Sequence, residues 1–290
     1  MAASAMGTRF EILLPEGRGN PSGPALRAAG EAAIDEILLW HQRLNRFAPD
    51  SLVSHLGRSS HAIPLDRETF DLFADALEVW RASDGAFDIT VTPALVRLGA
   101  GDSSVPARDT LPGGERIALD PVRRTIELGG PPVSLDLGGI AKGHTLDCAA
   151  ARLRTAGVRT ALMHGGTSSV IGMGRPPGRS GWPVALCSTR DAVVLADMAL
   201  SVSDPAGQMH LTGRTHIVDP RADSRTGAIV PDDGMPGPPV AVVGPSARLA
   251  DAWSTALAVL GHVPEPFPQA YEVRFLPRRG LEPAGAHAAV

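Results

Sequence analysis

The strongest constraint on the fold is a rhythm: many apolar runs of strand length, cut short by Gly and Pro, alternate with a few long stretches of helical periodicity. Strand signals fall at Gly7–Leu14, Arg116–Leu119, Thr125–Leu128, Val133–Leu137, Thr160–Met163, Ser169–Met173, Pro183–Ser188, Ala199–Val202 and Pro239–Val243. A further strand is expected to carry His216 and Ile217. Helical spacing marks Ala25–Phe47, through Ile34, Ile37, Leu38 and Leu44, and Arg67–Ser83, where Phe70, Phe73, Leu77 and Trp80 share a face. The run KGHTLDCAAARLRTAG opens a third helix, ending at Gly157, and Ser246 is placed to cap a fourth that reaches Leu260 and closes at Gly261. This interleaving predicts a mixed α+β fold, with largely antiparallel sheets and packed helices.

Pro15–Pro24, residues 99–114 and Asp232–Pro239 read as loops, and the final PRRGLEPAGAHAAV as a poorly ordered tail. A chain of 290 residues with 43% hydrophobic content buries a substantial core. We expect one domain over residues 1–265, followed by a C-terminal tail over 266–290. A net charge of -4 and a pI near 6.1 argue against nucleic acid or an anionic membrane as a partner held by bulk charge. Cys148 and Cys187 stand alone, without a CxxC pair, so neither a zinc knuckle nor a disulfide framework is expected, and both are expected to be buried structural residues. The opening MAASAMGTRFEILLPEG has no charged leader region, no long apolar run and no lipid-accepting cysteine. No signal peptide or membrane anchor is therefore expected, and the protein is expected in the cytoplasm unless a leader has been trimmed.

Chemistry concentrates at a few places. Lys142 is the only lysine among the 27 Lys and Arg residues. It lies in DLGGIAKGHTLD, where a strand, two glycines and a helix start make a reasonable phosphate cradle. Lysine there is either an accident of an arginine-favouring composition or a site too narrow for a planar guanidinium. In ADAWSTALAVLG, Asp251, Ser254 and Thr255 sit at i, i+3 and i+4 and share one helix face. Oxygen ligands of this kind suit a hard divalent cation, while a helix-start Asp with small packed hydroxyls is the plainer alternative. His216, in GRTHIVDPRADSRTG, is either a general base or a strand residue before a turn. Asp88, in SDGAFDITVTP, either bonds a ribose or adenine or ties its own turn.

Taken in order, MGTRFEI, RFAPDSLVSHL, SDGAFDITVTPAL, LDLGGIAKGHTLD, THIVDPR and ADAWSTALAVLG resemble the FAD:protein FMN transferase (ApbE-type) family from about Met6 to Gly261. The resemblance implies two intertwined lobes with FAD and Mg²⁺ bound between them. It implies Mg²⁺-dependent transfer of FMN from FAD to a Thr or Ser hydroxyl of an acceptor protein bearing a flavinylation-type motif, with release of AMP. By position it assigns Met6, Phe47, Ala86, Phe87, Asp88, Asp136, Lys142 and Ile217 to the flavin dinucleotide. It assigns the Gly139 carbonyl, Asp251, Ser254 and Thr255 to the metal, and His216 to proton acceptance. Gly57 stands where the family usually has Asn, and Thr167 where it usually has an acidic residue. Two rival readings follow: a pyrophosphatase splitting FAD to FMN and AMP, and a non-catalytic FAD-binding or storage protein.

Overall fold

Met6 and Gly7 both have positive φ, 51° and 70°. That pairing is what a type I′ hairpin turn requires. The turn joins β1 (Ala2–Ala5) to β2 (Thr8–Leu13), so the predicted Gly7–Leu14 strand is the second arm of a hairpin. The computed structural model describes residues 1–17, 19–97, 112–186, 191–207, 217–221 and 237–277. His216, the turn-rich Asp232–Pro236, Cys187 and the tail from Arg278 lie outside the described residues, as does most of the loop expected over 99–114.

Seven strands build the main sheet, in the order β1-β2-β6-β7-β10-β11-β12, and every pairing in it is antiparallel. Its inner members are β2, β6 (Ala161–Gly165), β7 (Ser169–Met173), β10 (Met198–Ser203) and β11 (Val240–Gly244), and β12 (Glu272–Phe275) forms the edge opposite β1. A short sheet, β3 (Ile63–Pro64), β5 (Thr125–Leu128) and β4 (Ile117–Asp120), stands apart from it, as does the hairpin of β8 (Trp182–Ala185) and β9 (Ala192–Leu195). The expected mixed α+β architecture with antiparallel sheets is the one observed.

Among the described residues there are six α-helices: α1 (Gly23–Leu44), α2 (Leu52–Arg58), α3 (Arg67–Ala82), α4 (Thr92–Arg97), α5 (Ala141–Thr155) and α6 (Ala247–Leu260). None of them is long and apolar enough to cross a membrane. α1 buries Leu26, Ala29, Gly30, Ala33, Ile37, Trp40 and Leu44, while Leu38 is exposed. The small side chains let it lie close on α5, which answers with Ala149 and Ala150. α3 is capped by Asp66, whose side chain accepts from Thr69 N–H at 2.9 Å. The Ser246 cap and the left-handed Gly261 close of α6 are as expected, with φ at Gly261 of 71°.

Val133–Leu137 is not a strand. It runs without a ladder, held by single bonds from Val133 N–H to Gly57 O (3.0 Å) and from Asp136 N–H to Ile89 O (2.7 Å). Its buried Val133, Leu135 and Leu137 supply the alternation that mimics a strand, but among the described residues no strand pairs with them through backbone hydrogen bonds. Around them, α2, α3, the three-stranded sheet and the inner face of α6 share a core containing Phe73, Leu77 and Trp253. A second core lies between α1, α5 and the main sheet, and a third beneath the β8–β9 hairpin on the far face of that sheet.

Candidate functional site

Helices α5 and α6 start against each other, and each caps the other. Asp147 of α5 accepts from Ser246 Oγ–H (2.8 Å) and from the Ala247 and Arg248 amides (3.1 and 3.0 Å) at the start of α6. Asp251 of α6 accepts at Oδ2 from the Gly143 N–H in the first turn of α5, at 3.0 Å. Ile140, the residue before α5, offers no side-chain cap of its own. A carboxylate at a helix N-terminus satisfies free amides and the helix dipole together. Gly143 permits the approach, since a Cβ there would lie 2.1 Å from Ala247 O.

Lys142 stands in the same turn. Its ammonium donates to Gly138 O at 3.2 Å and lies 3.7 Å from Asp251 Oδ1. Asp251 is 2% exposed. On α6, one turn on, Thr255 faces the Gly138–Gly139 turn: a Cβ on Gly139 would come within 3.1 Å of both Thr255 Oγ1 and Phe87 Cε2. Gly139, Lys142, Asp251, Thr255 and Phe87 therefore meet at one place. Asp136 begins the turn, accepting from Gly138 N–H at 2.8 Å, and its other oxygen faces Arg46 Nε at 3.4 Å. The Arg46 guanidinium in turn covers the Phe47 ring at 4.4 Å, and Phe47 is 64% exposed. Met6 reaches α5 from the hairpin turn: its Sδ accepts from Thr145 Oγ1–H at 3.8 Å and its N–H donates to His41 Nδ1 at 3.2 Å. A non-glycine residue in the left-handed region is strained, and Met6 carries that strain beside the first turn of α5.

The remaining candidates are placed differently. Asp88 accepts from Thr90 N–H and Oγ1–H (both 2.7 Å) and from Gly114 N–H (3.1 Å), so it ties its own turn to the Gly113–Gly114 strip. Burial raises its pKa, against these bonds. Ala86 is buried, and Ile217 lies in the same core as Phe87, Ile140 and Ala141. Ser254 is fully buried, and its hydroxyl bonds Ser203, Ser201 and the Asp251 carbonyl, which leaves Asp251 and Thr255 as the more available oxygens of that face. The unusual Gly57 lies under the chain leading to Asp136, where any Cβ would meet Val133 O at 2.2 Å. Thr167 is exposed at the β6–β7 turn.

Three residues go unremarked in a motif reading. Ser169 and Ser201 both donate to Asp251 Oδ1, at 3.4 and 3.0 Å, and Ser203 lies 2.8 Å from Ser254 Oγ and 3.3 Å from Thr255 Oγ1. The signal available for Ser201 and Ser203 was hydroxyls repeating at strand period in the apolar run MALSVS.

Among the described residues no three His, Cys, Asp or Glu side chains cluster to hold a metal. The oxygens gathered here are one carboxylate, hydroxyls and a turn of main-chain carbonyls. That set fits a hard cation which completes its shell with water and substrate phosphates, and fits a soft metal poorly.

Comparison with known proteins agrees on one family. A profile described as the ApbE family matches residues 6–266. The FAD:protein FMN transferase of Chlamydia trachomatis is 30% identical over 229 residues, covering 74% of this chain and 71% of the relative. That of Vibrio cholerae is 23% identical over 284 residues, covering 90% and 81%. Among solved structures, the flavinyl transferase ApbE of Pseudomonas stutzeri in its apo form superposes with a TM-score of 0.72 at 23% identity, covering 90% of this chain and 85% of that one. The ApbE protein of Thermotoga maritima superposes equally well, at 0.72 and 22% identity. The chain belongs to the ApbE family and is a transferase.

Proposed function

We propose that this protein transfers FMN from FAD to a Thr or Ser hydroxyl of an acceptor protein, with Mg²⁺ and with AMP as the second product. One observation carries the reading: a lysine, the N-terminus of α5 and an oxygen-bearing face of α6 converge beside the Gly138–Gly139 turn. An ammonium beside the positive end of a helix suits a pyrophosphate, and the adjacent carboxylate and hydroxyls suit its counter-ion. The names of the family's characterised relatives point to the same chemistry.

In this reading the acceptor oxygen forms a bond to the FMN phosphorus, the bond from that phosphorus to the bridging oxygen breaks, and AMP leaves with the bridging oxygen. Lys142, with the positive end of the α5 dipole, stabilises negative charge on the phosphates as it shifts toward the leaving group. Asp251 and Thr255, with a carbonyl of the Gly138–Gly139 turn, would hold Mg²⁺, which supplies charge neutralisation of the pyrophosphate when bound. Phe47 offers exposed aromatic surface to the dinucleotide, Phe87 backs the Gly139 turn from the core, and Met6 closes the hairpin side. His216 belongs to the reading as the acceptor of the hydroxyl proton. The reading includes an acceptor with a flavinylation-type Thr or Ser motif.

Incubation of FAD, Mg²⁺ and such an acceptor should add the mass of an FMN phosphoester and release AMP in equal amount. AMP without acceptor modification would instead establish hydrolysis. Intact FAD in the presence of Mg²⁺ and acceptor would establish a binding protein.

A further inference from the structure

We infer that Ser201, together with its cross-strand partner Ser169, is a positioning residue that sets the Asp251 carboxylate for cation binding. The inference rests on the metal-dependent transferase reading above and assigns it two residues which no motif contains. β7 and β10 are neighbours inside the main sheet, and Ser169 lies directly opposite Ser201 in their register. Alternation along β10 sends Leu200 and Val202 toward the β8–β9 hairpin and Ala199, Ser201 and Ser203 toward the helices. Positions of that kind are ordinarily filled by small apolar residues, because a buried hydroxyl left without a hydrogen-bond partner is costly. Here Ser169 is fully buried and Ser201 is 1% exposed.

Every one of these hydroxyls is directed at α6. Ser201 and Ser169 donate to Asp251 Oδ1, and Ser203 bonds Ser254 and faces Thr255. Gly143 N–H fixes the other oxygen, Oδ2. With both oxygens pinned from opposite sides, the carboxylate plane is set, and so is the direction of the lone pairs that remain for a cation. Partners that orient a ligand typically govern metal affinity by roughly 10- to 100-fold. A purely structural role for the serines would show in stability alone.

The test compares the parent protein with Ser201→Ala, Ser169→Ala and Asp251→Asn. Mg²⁺ binding is followed by calorimetry in the presence of FAD and the absence of acceptor, FAD binding without metal is measured separately, and melting is recorded without either. Ser201→Ala should weaken Mg²⁺ binding by about tenfold or more, leave metal-free FAD binding within about twofold, and retain kcat once Mg²⁺ is saturating. Ser169→Ala, which removes the longer bond, should act in the same direction more weakly and serves if Ser201→Ala does not fold. Adding Ser201→Ala to Asp251→Asn should change Mg²⁺ binding no further. A lower melting temperature with parental Mg²⁺ affinity in both serine variants would overturn the assignment. A parent that binds no Mg²⁺ with FAD would remove the metal-dependent reading, and this inference with it.

Discussion

Lys142 is expected to act through its shape as well as its charge. Its ammonium lies between Gly138 O and the buried Asp251 carboxylate, in a turn whose Gly139 lies against Phe87 and Thr255. A guanidinium is broader and planar, and is expected not to keep both contacts there. Lys142→Arg should keep the fold and lose FAD affinity or transfer rate by roughly ten- to a hundredfold, the scale of one charge-assisted hydrogen bond. Single-turnover transfer and FAD binding measure it, and a variant with parental values would make the lysine an accident of composition. Asp251→Asn should cost stability even without metal, because it leaves the Lys142 charge without its buried partner. A metal-free melting curve matching the parent would contradict that. At this scale the sequence shows the lone lysine and the oxygen face of α6 through spacing within a single helix. It cannot show Ser169 and Ser201, whose meeting depends on strand register across 32 residues of chain, nor that Asp88 spends its oxygens on Thr90 and Gly114.

At the scale of elements, the reciprocal capping of α5 and α6 makes their starts one unit. Gly143→Ala should force them apart, because the new Cβ meets backbone that no rotamer change can clear. Overpacking of this kind costs about 1–3 kcal/mol, and the Gly143–Asp251 bond would be lost with it. The reading is a lower denaturation midpoint together with weaker FAD binding; full FAD binding would show that the two helix starts tolerate separation.

His144, in the same turn, makes a second and separate prediction. Burial drives its pKa from 6.5 down to about 3, with Arg248 and Arg43 adding to the effect, and its ring meets Trp40 edge-on at 4.2 Å. Unfolded chain therefore binds a proton that the folded chain refuses between these two values. Stability from this group is complete above about pH 6.5 and is lost as pH falls toward 3, by up to about 1.4 kcal/mol per pH unit. Buried Asp88 and Asp147, with raised pKa values, act in the opposite sense, so the comparison has to be with His144→Gln. Denaturation at pH 7 and pH 5 should show a larger acid loss for the parent than for that variant. Long helices are legible beforehand because several turns of periodicity accumulate. α2, α4, β9 and β12 are too short to produce a period, and Val133–Leu137 alternates without pairing.

For the molecule as a whole, the position of the candidate site is decided by where the cores adjoin. α6 contributes Trp253 and Leu257 to the core it shares with α3 and the small sheet, and Ala247 to the core between α1, α5 and the main sheet. α5 divides in the same way, with Ala141 in the first and Leu146 in the second. Lys142, Asp251 and the Gly138–Gly139 turn thus lie on the seam. A ligand gripping them ties both cores together. FAD at about a hundred times its dissociation constant should stabilise the folded state by about 2.7 kcal/mol, and Mg²⁺ bound with it adds a further increment. For a domain of this size that is on the order of 5 °C in melting temperature. We expect a single calorimetric transition, displaced as a whole, with FAD alone giving part of the shift and Asp251→Asn abolishing only the increment due to Mg²⁺. If two transitions appear and ligand moves just one of them, the site belongs to one core and the seam is not where FAD binds.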